Sequence, residues 1–276
     1  MFGKKPSKNA HAVVTGAGSG IGRAFALEIA RRGGRVVCAD INRQTAEETV
    51  AQIVAAGGEA KAVACDVAGL AAVERLAADA ERWLGKPVDL VINNAGVGVG
   101  GKPVGDIPMD DWQWVMGINL WGVIHGCHVF VPKLRALGRG GIVNVASSAS
   151  FGAAPSMGPY NVTKAGVLAL SETLAAELSG SGVKISVLCP TFVHTNIARD
   201  ARVGDSKIND FAQKLMDRTG IPPERVAKVT LDALDRGRLH VLPQFDARML
   251  WRAKRLAPAT YTRGMGLLSR FTRDLL

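Results

Sequence analysis

Short β-branched runs alternate with longer Ala- and Leu-rich stretches along the first 190 residues. HAVVTG, RVVCAD, AKAVACD, VDLVINNAG, GGIVNVASS and VKISVLCP each read as a buried strand of about five residues. The helical stretches between them fall at 21–33, 43–57, 69–85, 110–137 and 160–180. A late strand, LHVLP at 239–243, follows a helix that starts near Pro222 and Pro223. Strands alternating with helices predict βαβ units. The expected fold is therefore α/β: a single-domain, Rossmann-like, doubly wound parallel sheet of about seven strands with helices on both faces. The expected organisation is a basic tail at 1–10, a body at 11–245 and a basic amphipathic extension at 246–276.

Composition agrees with a folded body. The chain is 47% hydrophobic with a mean hydropathy of +0.13, too apolar for disorder. No single apolar run in the sequence reaches the roughly 18–20 residues that span a bilayer. The N-terminus does not read as a signal peptide. Cys38, Cys65, Cys127 and Cys189 form no C-x-x-C pair and are expected to be reduced core residues of a cytoplasmic protein. Of the net charge of +10, residues 1–10 carry +3 and residues 246–276 carry +5. Only +2 is left for the body, which argues against a nucleic-acid groove. The charged ends read as solvated termini, with an anionic membrane surface as the alternative.

The first strand runs into Thr15-Gly16-Ala17-Gly18-Ser19-Gly20-Ile21-Gly22, and a helix follows at once. Glycines there let the backbone turn tightly and approach a pyrophosphate, which the free N–H groups of the helix N-terminus then bind. The second strand ends at Asp40, 18 residues after Gly22. An acidic residue at that point accepts from ribose hydroxyls and repels a 2′-phosphate, favouring NAD over NADP. Arg43, three residues on, is placed to hold such a phosphate, so NADP stays open. Asp40 also suits a helix N-cap. Asp66, at the end of the third strand, is placed to meet an adenine edge.

The chain has two tyrosines, Tyr160 and Tyr261. Tyr160 has Lys164 four residues on, on the same helix face. A lysine cation there stabilises a tyrosinate and draws its pKa down from about 10. A phenol so tuned can exchange a hydroxyl proton while a hydride moves to or from a nicotinamide.

TGAGSGIG at 15–22, NNAG at 93–96, Asn119 in GINLWG, the serine of VASS, YNVTK at 160–164 and PTFVHT at 190–195 together resemble the short-chain dehydrogenase/reductase superfamily, over roughly residues 10–245. The resemblance implies an NAD(P)-dependent alcohol dehydrogenase or carbonyl reductase with Asn119, Ser147, Tyr160 and Lys164 as its catalytic set. Asn119 would hold a water that links Lys164 to solvent. The family serine stands 13 residues before the tyrosine, which gives Ser147, with Ser148 its neighbour. The cofactor would be held by Gly16, Ser19, Gly20, Ile21, Gly22, Asp40, Arg43, Asp66, Val67, Asn93, Ala95, Gly96, Tyr160, Lys164, Pro190, Val193 and Thr195. One departure stands out: the family's Pro-Gly after the sixth strand is Pro190-Thr191 here, which narrows the space beside the nicotinamide.

Ligands of such folds sit outside the carboxyl ends of the strands. The expected substrate pocket includes Val97, Val99, Phe151, Met157, Phe192 and His194, under a lid at 196–218. It predicts a fairly hydrophobic secondary alcohol or ketone. His125 and His128 are read as packing residues and no metal is expected. In 247–257, Arg248, Arg252 and Arg255 share one helical face and Met249, Ala253 and Leu256 another. That extension is expected to pack on the body, on a second subunit of a homodimer or homotetramer, or on a membrane surface. The competing functions are a membrane-surface lipid or sterol dehydrogenase and a non-catalytic NAD(H)-sensing scaffold.

Overall fold

A computed structural model describes residues 5–195, 197, 201–203 and 218–273. Seven parallel strands form one sheet in the order β3-β2-β1-β4-β6-β7-β9. They are β1 (His11–Thr15), β2 (Arg35–Asp40), β3 (Glu59–Ala64), β4 (Leu90–Asn93), β6 (Gly140–Val145), β7 (Val183–Leu188) and β9 (His240–Val241). Successive residues of β1 turn to opposite faces, as a strand requires. Val13 joins one core with α3 (Leu70–Leu84), α5 (Gly122–Leu137) and α7 (Gly158–Glu177). Ala12 and Val14 join the other with α1 (Gly20–Arg31), α2 (Arg43–Ala55) and α8 (Pro223–Asp235). The expected doubly wound architecture is the observed one.

The chain winds outward from β1 to β3, then returns to place β4 on the other side of β1. That reversal opens a crevice at the carboxyl ends of β1 and β4, where the connecting loops diverge. The predicted functional residues cluster around it.

Three features differ from the sequence expectation. A two-stranded parallel ribbon, β5 (Val99–Gly100) with β8 (Arg202–Val203), was not signalled; two residues are too few for a period. The stretch 110–137 is one continuous helix, Met109–Leu137, made of α4 (Met109–Met116), a π turn at Gly117–Trp121 and α5. By length and composition alone it would suffice to cross a membrane, although no single apolar run does so. Its inner face, with Val123, Phe130 and Leu134, packs on the sheet.

The third difference concerns the N-terminus. Residues 5–10 are not a solvated tail, because Pro6, Ser7 and Ala10 are buried. Ser7 donates through N–H and Oγ to Asp235 and accepts from Arg32, whose guanidinium also pairs with Glu28 and Asp232. The C-terminal extension begins as α9 (Phe245–Leu256) and α10 (Pro258–Arg273) and packs on the body, the first of the placements expected for it. Ala247 is fully buried, and Leu250 and Trp251 lie against the core.

Candidate active site

The crevice holds a cavity of about 330 Å³. At one end stands Asp40. Its Oδ2 accepts from the Gly18 N–H (2.8 Å) and its Oδ1 from the Asn42 N–H (3.0 Å), so both oxygens are fixed by the backbone. Asn42, not Asp40, caps α2. Arg43 does not reach the cavity. It is 70% exposed and pairs with Glu47 at 2.8 Å, one turn along the same helix.

The floor is the glycine turn between β1 and α1. Gly16 has φ +63°, and a Cβ there would fall 2.9 Å from the Ala95 Cα, so only glycine allows β1 and the β4 loop to approach so closely. Ser19 is the N-cap of α1 but makes no side-chain cap. The first-turn N–H groups at Ser19, Gly20 and Ile21 are therefore left to face the cavity these residues line. Gly22 lies just behind, against the Gly16 carbonyl. Asp66, Val67, Ala95 and Gly96 complete this half of the wall.

Ser147, Tyr160 and Lys164 meet at the other end. β6 delivers Ser147, and α7 delivers Tyr160 and, one turn on, Lys164. Ser147 lines the cavity with Tyr160, its hydroxyl accepting from the Ala149 N–H (3.1 Å), whereas Ser148 donates its backbone N–H to the Pro190 carbonyl and does not line the cavity. Lys164 is buried, donates from Nζ to the Val145 carbonyl (3.0 Å), and lies 5.7 Å from the centre of the Tyr160 ring. Burial lowers the Lys164 pKa from 10.5 to about 8. It also pushes the Tyr160 hydroxyl above its ordinary value, with the Ser147 side chain opposing it. The downward tuning expected from spacing alone is thus countered by desolvation.

Asn119 does not line the cavity. It sits fully buried in the π turn and makes two bonds with Val97: Oδ1 accepts from its N–H (2.8 Å) and Nδ2 donates to its carbonyl (2.9 Å). A wide π turn is a recurrent way of aiming a functional side chain. A Cβ at Gly96 would lie 3.2 Å from Asn119 Oδ1 and 3.4 Å from Lys164 Nζ. The glycine is the gap through which those two groups face each other.

Pro190, Val193 and Thr195 line the cavity from the β7 loop, and Val97 from the β4 loop. Other expected residues are elsewhere. Asn93 is buried in a polar knot, donating to Asn144 Oδ1 at 2.9 Å; its neighbour Asn94 lines the cavity and ties the Thr15 and Gly16 carbonyls to the β4 loop. Val99 is buried with Ile107 and Val115. Phe151 is buried against Trp251, with ring centres 5.0 Å apart. Met157 lies over Gly100, and His194 is exposed. Phe192 is half-buried and enters through its carbonyl, which accepts from Gln244. His125 bonds the Val67 carbonyl through Nδ1. Of the expected lid, residues 196, 198–200 and 204–217 lie outside the described residues. Thr191, which replaces the family's glycine, and Ile197 also line the cavity, and Ile41 and Ile118 line it without having been singled out. Neither of the last two carried a signal beyond being apolar or next to a motif.

A model of the short chain dehydrogenase family matches residues 10–205. Probable oxidoreductase EphD of Mycobacterium tuberculosis is 42% identical over 67% of this chain, but the match covers only 31% of that protein, so the chain spans about a third of its length. 1-Deoxy-11-beta-hydroxypentalenate dehydrogenase of Streptomyces exfoliatus is 34% identical over 90% of both chains. A short-chain dehydrogenase/reductase from Burkholderia phymatum, solved in complex with NAD, superposes with a TM-score of 0.83 at 37% identity, covering 92% of this chain and 95% of that one.

Proposed function

This chain belongs to the short-chain dehydrogenase family, and from that premise we propose that it exchanges a hydride between NAD(H) and a secondary alcohol or ketone, with Tyr160 as the proton donor and acceptor. The convergence of Ser147, Tyr160 and Lys164 at one end of a cavity whose other end is Asp40 carries this reading.

The cavity fits a dinucleotide: the glycine floor admits a close backbone approach, and the uncapped N-terminus of α1 offers N–H groups to an anion. Asp40 would hold the ribose hydroxyls, and its fixed carboxylate disfavours a 2′-phosphate. Arg43, turned to Glu47, offers that phosphate no partner. Both point to NAD. The bound nicotinamide supplies a hydride acceptor or donor.

The chain supplies the rest. Ser147 holds the substrate oxygen. Tyr160 takes the hydroxyl proton in oxidation and returns it in reduction. Lys164, cationic below about pH 8, opposes the burial that keeps the phenol protonated. Asn119 sets the Val97 backbone and faces Lys164 across Gly96. Val97, Ile118, Val145 and Ile197 make the nearby wall apolar, which suits a fairly hydrophobic substrate.

Tyr160→Phe tests the assignment. Turnover should fall by at least about a thousandfold, within the range for a lost general acid/base, while the NADH dissociation constant stays within about twofold. Activity retained in that variant sinks it.

A homodimer or homotetramer fits the outer faces of the Met109–Leu137 helix and of α7, where Trp121 and Val162 stand exposed. One observation favours a membrane-surface variant of the same chemistry. Phe245, Met249 and Leu256 are exposed on α9 along with Arg248 and Arg252.

A further inference from the structure

Two loops border the reacting end of the cavity. One runs from Ser147 through α6 (Ala149–Gly152) to Tyr160; the other is Pro190–Thr195 after β7. The first is strained. Ala153 has φ +49° and Ser156 φ +61°, left-handed conformations that non-glycine residues hold only when their surroundings enforce them.

The far half of this loop is held by Asn161 Nδ2, which donates to the Ala154 carbonyl (2.8 Å), and by the Gly101 N–H, which donates to the Ser156 carbonyl (2.9 Å); its near half is held by the C-terminal hairpin. The Tyr261 hydroxyl donates to the Gly152 carbonyl at 2.9 Å, directly before Ala153. Trp251 sets its ring edge-on against Phe151. The same hairpin holds the second loop. Gln244, buried, accepts from the Thr191 N–H at Oε1 (3.2 Å) and donates from Nε2 to the Phe192 carbonyl (2.8 Å). Thr191 Oγ1 donates to Asp246 Oδ1 (3.1 Å). One helix start therefore satisfies the backbone of one loop, and the following turns grip the other.

We propose that Gln244–Tyr261 is a positioning clamp. It carries no reacting group, and it fixes the distance between the Ser147–Tyr160 loop and the loop bordering the nicotinamide end. Gln244, Trp251 and Tyr261 are its positioning residues. The proposal rests on the roles given above to Ser147 and Tyr160. Hydride and proton must move between partners held to within a fraction of an ångström, so a loosened loop costs rate before it costs binding.

The test uses the full chain as Tyr261→Phe, which deletes one hydroxyl, and Gln244→Leu, which removes both bonds without a charge. Amide hydrogen exchange, NADH binding, melting temperature, kcat and KM are measured on each. Tyr261→Phe should raise exchange across 149–157 and lower kcat, each about fivefold, the scale of one hydrogen bond. NADH binding should stay within about twofold and melting nearly unchanged. Gln244→Leu should raise exchange across 190–195 and weaken NADH binding by a similar factor. Unchanged exchange in both loops overturns the clamp whatever the activity. Raised exchange with kcat and NADH binding within twofold of the parent overturns its functional role. Raised exchange in variants of a chain that turns over no alcohol or ketone supports the clamp and overturns the hydride-transfer reading instead.

Discussion

Lys164→Met should make this protein more stable while removing its activity, and the gain should depend on pH in a way that identifies its cause. The Lys164 ammonium is buried at the carboxyl end of β6 with one acceptor, the Val145 carbonyl. Its pKa falls from 10.5 to about 8 on folding, chiefly through desolvation. Each pKa unit is about 1.4 kcal/mol, so holding the charge costs the folded state roughly 3 kcal/mol at pH 7. The sign follows from the depressed value. The cost is full below about pH 8, fades as pH rises and vanishes above about 10.5, where both states are neutral. Methionine fills much of the same space without a charge. It forfeits the bond to Val145, about 1–2 kcal/mol, so the net gain at pH 7 is about 1–2 kcal/mol. The lost bond is a nearly constant offset, and the pH slope is not. Between pH 7 and pH 9 the variant's advantage should shrink by about 1 kcal/mol. Urea unfolding of both proteins at the two pH values measures it. The raised thiols of Cys38, Cys65 and Cys127 lose stability only above about pH 9 and cancel in the difference. An advantage that does not change with pH, or a variant less stable at pH 7 than the parent, refutes the claim that Lys164 is held at a cost.

Asp40→Asn keeps a side-chain acceptor for one of the Gly18 and Asn42 N–H groups, turns an amide NH2 toward the other and removes the charge. The parent should bind NADH more tightly than NADPH, and the variant should narrow that difference by about tenfold or more, the scale of a close charge repulsion near a surface. Fluorescence titration reads both constants, and a parent that prefers NADPH overturns the assignment of Asp40. The membrane reading predicts that the full chain floats with vesicles rich in anionic lipid and not with neutral ones, and that Phe245→Ser with Leu256→Ser abolishes flotation at unchanged turnover. Equal recovery with both kinds of vesicle, or none with either, removes it.

The sheet and the motifs of the candidate site were legible because both are local. Most strands are short runs of four to six largely apolar residues between helices, and the reversal at β4 follows from winding such units around one sheet. Glycines at fixed offsets after β1 and a lysine one turn beyond Tyr160 are short-range patterns, and the structure brings them to one cavity. What the sequence hid was decided by long-range partners. Asp40 and Arg43 stand three residues apart, yet one is held at the cavity by Gly18 and the other is drawn off by Glu47. Phe151 is as apolar as any pocket residue, but Trp251, 100 positions away, covers it. Ser7 read as part of a charged tail because its partners, Arg32 and Asp235, are distant in sequence. Tyr261 was visible only as the second of two tyrosines. Its role depends on a carbonyl 109 residues away, at the point where the backbone enters a strained turn. The motifs thus locate the reacting groups, while the precision of their placement rests on unremarkable residues of the C-terminal hairpin that no motif marks.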